Sequence, residues 1–424
     1  MTGMAELSLE GLISRARSLG FQAEVMVVDV STYELSWEKM SYYGLTYREV
    51  GYGVRVIDDQ RRLGFAYGNS LTEDLLEMAV RSARAGRPDP HNALPSPEPV
   101  TPLEGAYDPA LEEPYEVVRG LVNEVLSSRP GNLNIIMTRG WGGTSRVRVV
   151  STEGVDVQQQ ASFAGLAASA NYLSEGYVGP EVYEFVDSRT AKGISAEALV
   201  KELHEKVSMT SSRRREDLRG RPIMLTPKAV NELLFPLLNH AVSLENVHRG
   251  KSPLRPGEDL GSKVSVTDDP RLPGGAWSRA FDGEGLPTRA VNVVASGVFR
   301  TALSNTYWSA RAGAENTHSS WRTYMTLPAI SATYMVVEAP SVSDVGDAIV
   351  VDQVEGVHTS NFDTGEFSVT ALVAWDNNGG LREFVLSGDL RSLLRGIAGA
   401  AGERKRHGRV VSAPLLVQGL RISS

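Results

Sequence analysis

The sequence predicts an α+β protein, with N-terminal αβ units built on antiparallel sheets and a β-rich, barrel- or sandwich-like C-terminal domain. Three observations predict it. Apolar residues recur at helical spacing in four segments, much of the remainder alternates apolar and polar residues between Gly, Asn and Asp turns, and a proline-rich stretch separates the first αβ unit from the second. At 424 residues the chain exceeds one ordinary core, at about 100–200 residues per domain.

The elements follow in order. Residues 8–19 place Leu9, Leu12, Ile13 and Ala16 on one helical face, and Gly20 supplies the stop. Strand-like runs cover 21–30 and 51–68, the second folded at Asp58, Asp59 and Gln60. Ser70 with Glu73 three residues on reads as a capping box for a helix whose apolar face is Leu71, Leu75, Met78, Ala79 and Ala83, ending at Gly86. This closes an N-terminal unit at residues 1–86. Residues 87–114 carry eight prolines and read as an extended linker. A second αβ unit, 115–220, opens with a helix after Pro114, continues as strands through 132–138, 145–160 and 181–187, and adds a helix from Ser195 with the stripe Leu199, Val200, Leu203 and Val207. The C-terminal domain, 221–424, begins with one long helix over 226–249. Thr226 caps it, Pro227 fits its first turn, Val230, Leu233, Leu234, Leu237, Leu238, Ala241 and Leu244 form its buried face, Pro236 kinks it and Gly250 ends it. The rest alternates in strand fashion, with Asn377–Gly380 as a hairpin turn.

Composition removes several classes of function. A net charge of −8 repels a phosphate backbone, so direct nucleic-acid contact is not expected. With no cysteine there is no disulfide, thiolate nucleophile or zinc–thiolate site. Residues 1–20 lack the basic start and apolar run of a signal peptide, and no apolar run reaches about 18 residues, so a cytoplasmic protein without a membrane segment is expected. There is no GxSxG elbow, no phosphate loop and no dinucleotide fingerprint, and GYGVR at 51–55 reads as strand.

The most distinctive stretch is Val266–Pro287, VTDDPRLPGGAWSRAFDGEGLP, which sets Asp268, Asp269, Asp282 and Glu284 among turn residues. A hard cation takes six or more oxygens, and these four could supply some of them. Their spacing matches no EF-hand loop, and Asp-Asp-Pro and Asp-Gly-Glu-Gly are also what tight turns use, so turns are the expectation.

Together with GYGVRVIDDQRRLGFAYGNSLTEDLLEMAVRSA, NVHRGKSPLRPGEDLGSKVSVTDDP, FDGEGLPTRAVNVVASGVF and EGVHTSNFDTGEFSVTALV, this stretch resembles the TldD/PmbA family of peptidase-related proteins, once called modulators of DNA gyrase. The resemblance covers nearly the whole chain. It implies one of two kinds of subunit: a TldD kind, whose HExxxH helix and late cysteine hold zinc for peptide hydrolysis, or a PmbA/TldE kind, which lacks these ligands and pairs with the first. These 424 residues contain no HExxxH. Their one His-Glu dipeptide, His204-Glu205, is followed at the fourth and fifth positions by Ser208 and Met209, which are no zinc partners.

The helix that would carry the motif offers His240, Glu245 and His248. Eight residues of helix rise about 12 Å, too far for both imidazoles to reach one ion unaided, and His248 near a helix end suits the dipole. The segment that matches the cysteine-bearing stretch by pattern holds Lys405, Arg406 and His407 instead, a basic run that reads as a solvated face or, less commonly, an anion contact. His318 and His358, in loop-like parts of family motifs, are candidates for lining a substrate groove, with His240, Glu245, His248 and the four carboxylates. The resemblance therefore implies a noncatalytic PmbA/TldE-like subunit of a TldD-type metallopeptidase complex involved in proteolysis of flexible peptides. It further implies peptide as substrate, no metal or other cofactor of the chain's own, a β-rich C-terminal domain that makes the subunit contact, and either a TldD-type partner or a homodimer. The alternatives are an active metallopeptidase with an altered metal site on His240 or His248, and a binding protein acting on DNA gyrase.

Overall fold

In a computed structural model that describes residues 8–423, β1 (Gln22–Glu38) and β2 (Ser41–Ile57) form one long antiparallel hairpin, in register from Gln22↔Ile57 to Glu38↔Ser41. Its tight turn places Lys39 and Met40 at φ 50° and 62°, the left-handed pair a two-residue hairpin needs, here without glycine. The strands run well past the alternating segments seen in sequence, because residues 41–49 are all exposed and carry no burial pattern to read. β3 (Leu63–Gly68) pairs with β2 only from Tyr52 onward, which leaves the outer edge of Ser41–Gly51 without a strand partner among the described residues.

On its other side β1 pairs with β4 (Leu133–Ser151), which pairs with β5 (Asp156–Ser174); β6 (Tyr177–Val178) and β7 (Val182–Ser188) both add to β5. Strands from before and after the proline-rich stretch thus share one sheet. Residues of β1 alternate between its faces. Ala23, Val25, Leu35 and Trp37 point to the face covered by α1 (Leu9–Ser18), α2 (Glu73–Ala85), α3 (Tyr115–Ser127) and α4 (Ala196–Met209). Met26 and Val28 point the other way, against Val100 and Leu103 of the proline-rich stretch and Ala280 and Phe281 of the carboxylate-rich loop.

The helix caps show why helices begin where they do. Ser195 and Thr226 accept from Ala198 N–H and Ala229 N–H, as their sequence context predicts. The Ser70–Glu73 capping box does not form: α2 is capped by Thr72, whose hydroxyl accepts from Leu75 N–H, while Leu71 is buried. Nor is 226–249 one helix. A π-helical turn at Val230–Leu234 precedes Phe235–Ala241, and after Val242 and Ser243 a separate turn covers Leu244–His248. Pro236 has no N–H and its ring crowds the preceding turn, which the widened π turn accommodates. The break is tertiary in origin, since Leu244 N–H donates to Leu303 C=O and Leu303 N–H to Val242 C=O.

The C-terminal part packs these helical segments against two sheets around a single large apolar core. One sheet has six strands in the order 298–299, 291–295, 265–268, 335–338, 410–412 and 405–407; the other has nine, centred on 349–355 and 366–376. Among the described residues no helix is long and apolar enough to cross a membrane.

Candidate functional site

Of the carboxylates of Val266–Pro287, Asp268, Asp282 and Glu284 are buried and Asp269 is half-buried, and all four are engaged. Asp282 accepts through Oδ1 from Glu284 N–H (2.8 Å) and Leu286 N–H (3.1 Å), and through Oδ2 from Ser320 N–H (3.1 Å). Burial, reinforced by the nearby charge of Glu284, pushes its pKa up to about 7. Asp268 accepts from Thr333 N–H (2.6 Å) and Tyr334 N–H (3.1 Å), and burial pushes it up to about 6. Asp269 closes a turn by accepting from Arg271 N–H at 2.9 Å.

Glu284 belongs to a network that crosses the molecule. Arg55 of β2 donates to Glu284 Oε1 (3.1 Å) and to Glu24 Oε2 of β1 (2.9 Å), while Arg322 donates to Glu24 Oε1 and, at 2.7 Å, to the Gly283 carbonyl. Thr306 N–H fills the remaining oxygen of Glu284 at 2.9 Å. Two guanidinium groups meet two carboxylates, and all four side chains are at most 6% exposed. The next residues pack on β2 as well: a Cβ on Gly51 or Gly53 would lie 2.4 Å from the Tyr324 ring or 2.3 Å from its carbonyl oxygen. The glycines of GYGVR are there for this close approach.

The histidines do not converge. His240 Nε2 lies 3.0 Å from the Lys251 carbonyl and 3.1 Å from Asp363 Oδ1, and its Nδ1 contacts Asn246. Glu245 pairs with Arg249, and the exposed His248 ring stands 5.8 Å from that of Trp308. His318, at φ 57°, is held between the Pro287 carbonyl (Nδ1, 2.8 Å) and Glu98 (Nε2, 3.5 Å), and His358 is exposed in the turn Val357–Thr359. Among the described residues no three His, Asp or Glu side chains are grouped to hold one metal ion. The residues present do not fit zinc: the imidazoles of the helical region are engaged with Asp363, Asn246 and Trp308 on separate helical segments.

A cavity of about 620 Å³ lies elsewhere, between α4 and β7 on one side and the start of the helical region and the strand Lys405–His407 on the other. Its floor is ionic. Lys206 Nζ stands 2.5 Å from Glu184, 2.9 Å from Asp352 and 3.1 Å from Glu202. Lys228, 1% exposed, lies 3.0 Å from Gln353 Oε1, 3.3 Å from Glu184 and 3.5 Å from Asp352, and also donates to the Tyr183 carbonyl. Burial opposes the charge on Lys206, but Asp352 and Glu184 override it and hold its pKa above the ordinary lysine value. Burial likewise opposes ionisation of Glu184, and Lys228, a hydrogen bond from His407 and Lys206 hold its pKa below the ordinary range. Lys206 therefore stays protonated at neutral pH and cannot act as a nucleophile or base. His407 differs. It is 8% exposed, its ring centre is 4.6 Å from that of Phe185, its Nε2 faces Glu184 Oε2 at 3.3 Å, and its Nδ1 has no hydrogen-bond partner among the described residues.

The cavity was not legible in sequence beyond Lys405, Arg406 and His407, and of these Arg406 is not solvated: it pairs with the Asp187 carboxylate and carbonyl.

Comparison with known proteins is consistent across the chain. The family models described as PmbA/TldA metallopeptidase C-terminal domain and domain 1 match residues 219–424 and 23–86. An uncharacterised protein of Methanocaldococcus jannaschii is 28% identical over 381 residues, 86% of each chain. A Haemophilus influenzae protein named metalloprotease PmbA homolog is 22% identical over 444 aligned residues, 97% of this chain and 94% of its own. The crystal structure of TldE from Thermococcus kodakarensis superposes with a TM-score of 0.86 at 22% identity, covering 98% of this chain and 100% of that one. A Thermotoga maritima protein provisionally named a modulator of a DNA gyrase superposes with a TM-score of 0.83 at 19% identity, covering 98% and 99%. At these identities the structural likeness speaks to the fold.

Proposed function

The chain belongs to the PmbA/TldD family, and from that membership we propose that it is a noncatalytic subunit of a TldD-type metallopeptidase assembly, one that helps to receive flexible peptides while a partner chain hydrolyses them. The observation that carries this reading is the state of the helical region that would bear HExxxH. Asn239 accepts there from Ala332 N–H at 2.8 Å, and His240 is tied to Asp363 and Asn246. Zinc hydrolysis needs free ligand atoms around one ion and an open position for water. Side chains already bonded to the scaffold supply neither.

A second feature supports a partner. On β2, Tyr43, Leu45 and Tyr47 are 44–60% exposed on the sheet face that carries no helix, beside the unpaired strand edge. Aromatic residues at a free edge suit burial against another chain.

The test is reconstitution. The purified chain is expected to carry no stoichiometric zinc and to leave an unstructured peptide intact, with hydrolysis appearing when a TldD-type chain is added. Chelator-sensitive cleavage by this chain alone would overturn the reading.

A further inference from the structure

We propose that the cavity between β7 and Lys405–His407 binds an uncharged stretch of extended peptide, its backbone paired to Phe185, an amide bonded to His407, and a bulky apolar side chain set against Met209 and Trp375. The proposal rests on the reading above, that this subunit receives flexible peptides, and adds the place and the chemistry of recognition.

The first argument is a strand edge with one unmet position. Among the described residues β7 pairs only with β5, and the strand Lys405–His407 only with Val410–Ser412, so two sheets turn edges without strand partners toward the cavity. Along β7 the outward backbone groups are marked by their partners. Tyr183 N–H donates to Gln353 Oε1 at 3.3 Å, Lys228 donates to the Tyr183 carbonyl, and Arg406 donates to the Asp187 carbonyl. Backbone groups of an antiparallel strand point alternately to its two sides. Phe185, midway between Tyr183 and Asp187, therefore turns its N–H and C=O outward as well, and among the described residues no side chain meets them. A peptide added at that edge would supply the missing donor and acceptor.

The second argument is independent. His407, from the facing strand, lines the same cavity and is nine-tenths buried; its Nε2 faces Glu184 at 3.3 Å, and its Nδ1 has no partner among the described residues. A buried ring nitrogen left without a partner is costly unless something bonds to it. With Nε2 turned to Glu184, Nδ1 is the atom left to bond a peptide amide.

Charge selects the rest. The buried lysines and Glu184 and Asp352 already neutralise one another, and Arg406 is paired with Asp187. A charged ligand group would disturb a balanced, desolvated network, whereas an amide and an apolar side chain would not. Phe185, Val186, Met209, Trp375, Pro227 and Pro414 make up the apolar walls. A volume of about 620 Å³ falls among sites that hold small ligands, at about 300–1,000 Å³.

Calorimetric titration of the purified chain with end-blocked tripeptides tests this. An N-acetylated, C-amidated Leu-Phe-Leu should bind saturably, and the triglycine counterpart at least about tenfold more weakly. His407→Ala should weaken binding about tenfold, and His407→Gln, which keeps a donor and an acceptor, should retain most of it. Met209 is 46% exposed, so Met209→Trp should fill the mouth without disturbing the fold and should also reduce affinity about tenfold. Equal binding by wild type and Met209→Trp, or no heat at millimolar peptide, would overturn the proposal. Hydrolysis after adding a TldD-type chain reports separately on the subunit reading, so either can fail alone.

Discussion

Val266–Pro287 and the cavity beneath Lys405–His407 hold the same kinds of groups, buried carboxylates beside buried cations, and differ in whether open space adjoins them. In the loop, both oxygens of Asp282 and of Glu284 are bonded. In the cavity the ions are paired as well, but His407 Nδ1 and a stretch of strand edge, without partners among the described residues, adjoin open space. Acid-rich sequence therefore marks a fastening, and a more ordinary stretch of sequence marks the place with binding capacity. Buried nitrogens without a hydrogen-bond partner occur in both places, Arg55 Nε, Arg279 Nε and Arg322 Nη1 in the fastening and His407 Nδ1 at the cavity, so it is the open volume beside the group that points to binding.

The largest expected effect lies in the fastening. Arg322→Met should cost about 3–5 kcal/mol, because it leaves Glu24 buried with half its partners gone. Chemical denaturation measures this, and a loss below about 1 kcal/mol would show that the network does not hold the sheet to the loop.

A smaller, pH-dependent effect should come from Asp282. A carboxyl whose pKa is raised on folding binds its proton more tightly in the native chain, so its contribution is complete below the ordinary Asp value of about 4 and is lost as the pH rises through about 7. Asp282→Asn abolishes that titration. The stability of wild type relative to Asp282→Asn should therefore be greater at about pH 5 than at about pH 8, by roughly 1.4 kcal/mol for each pH unit between about 5 and about 7. A difference that does not change with pH would mean that Asp282 stays ionised throughout.

The smallest effects compare two buried histidines. His318→Ala removes a 2.8 Å bond to the Pro287 carbonyl and should cost about 1 kcal/mol, whereas His407→Ala removes only a longer 3.3 Å contact with Glu184 and should cost less, despite similar burial. Thermal unfolding ranks the two, and the reverse order would mean that the contact of His407 with Glu184 is a principal support of the ionic floor.

Much of this architecture was legible in sequence, for identifiable reasons. The stripes Leu199, Val200, Leu203 and Val207, and Val230 through Ala241, are buried as their spacing predicts, because helical faces leave a local periodic record. The extension of β1 and β2 left none, since residues 41–49 bury neither face. The capping-box pattern pointed to Ser70, but Thr72 caps the helix, and the burial of Leu71 accompanies that choice. The break at Val242–Ser243 depends on Leu303, some sixty residues away, beyond the reach of any local rule. The cavity was hidden for the same reason: Glu184, Lys206, Lys228, Asp352 and His407 come from five separate elements. Only their three-dimensional convergence gives them meaning.

The pairing of Glu24 with Arg322 spans 298 positions of sequence. On the ribosome, β1 and β2 emerge early and can zip at once, and Arg55 arrives with them. Full neutralisation of Glu24 must wait until most of the chain has been made. During that interval Met26 and Val28 have neither Ala280 nor Phe281 to cover them, so the nascent hairpin presents an apolar face and an open strand edge together. The last act of folding is thereby tied to the late synthesis of the loop that carries Arg322, and a stalled or truncated chain is left with the surface that invites aggregation.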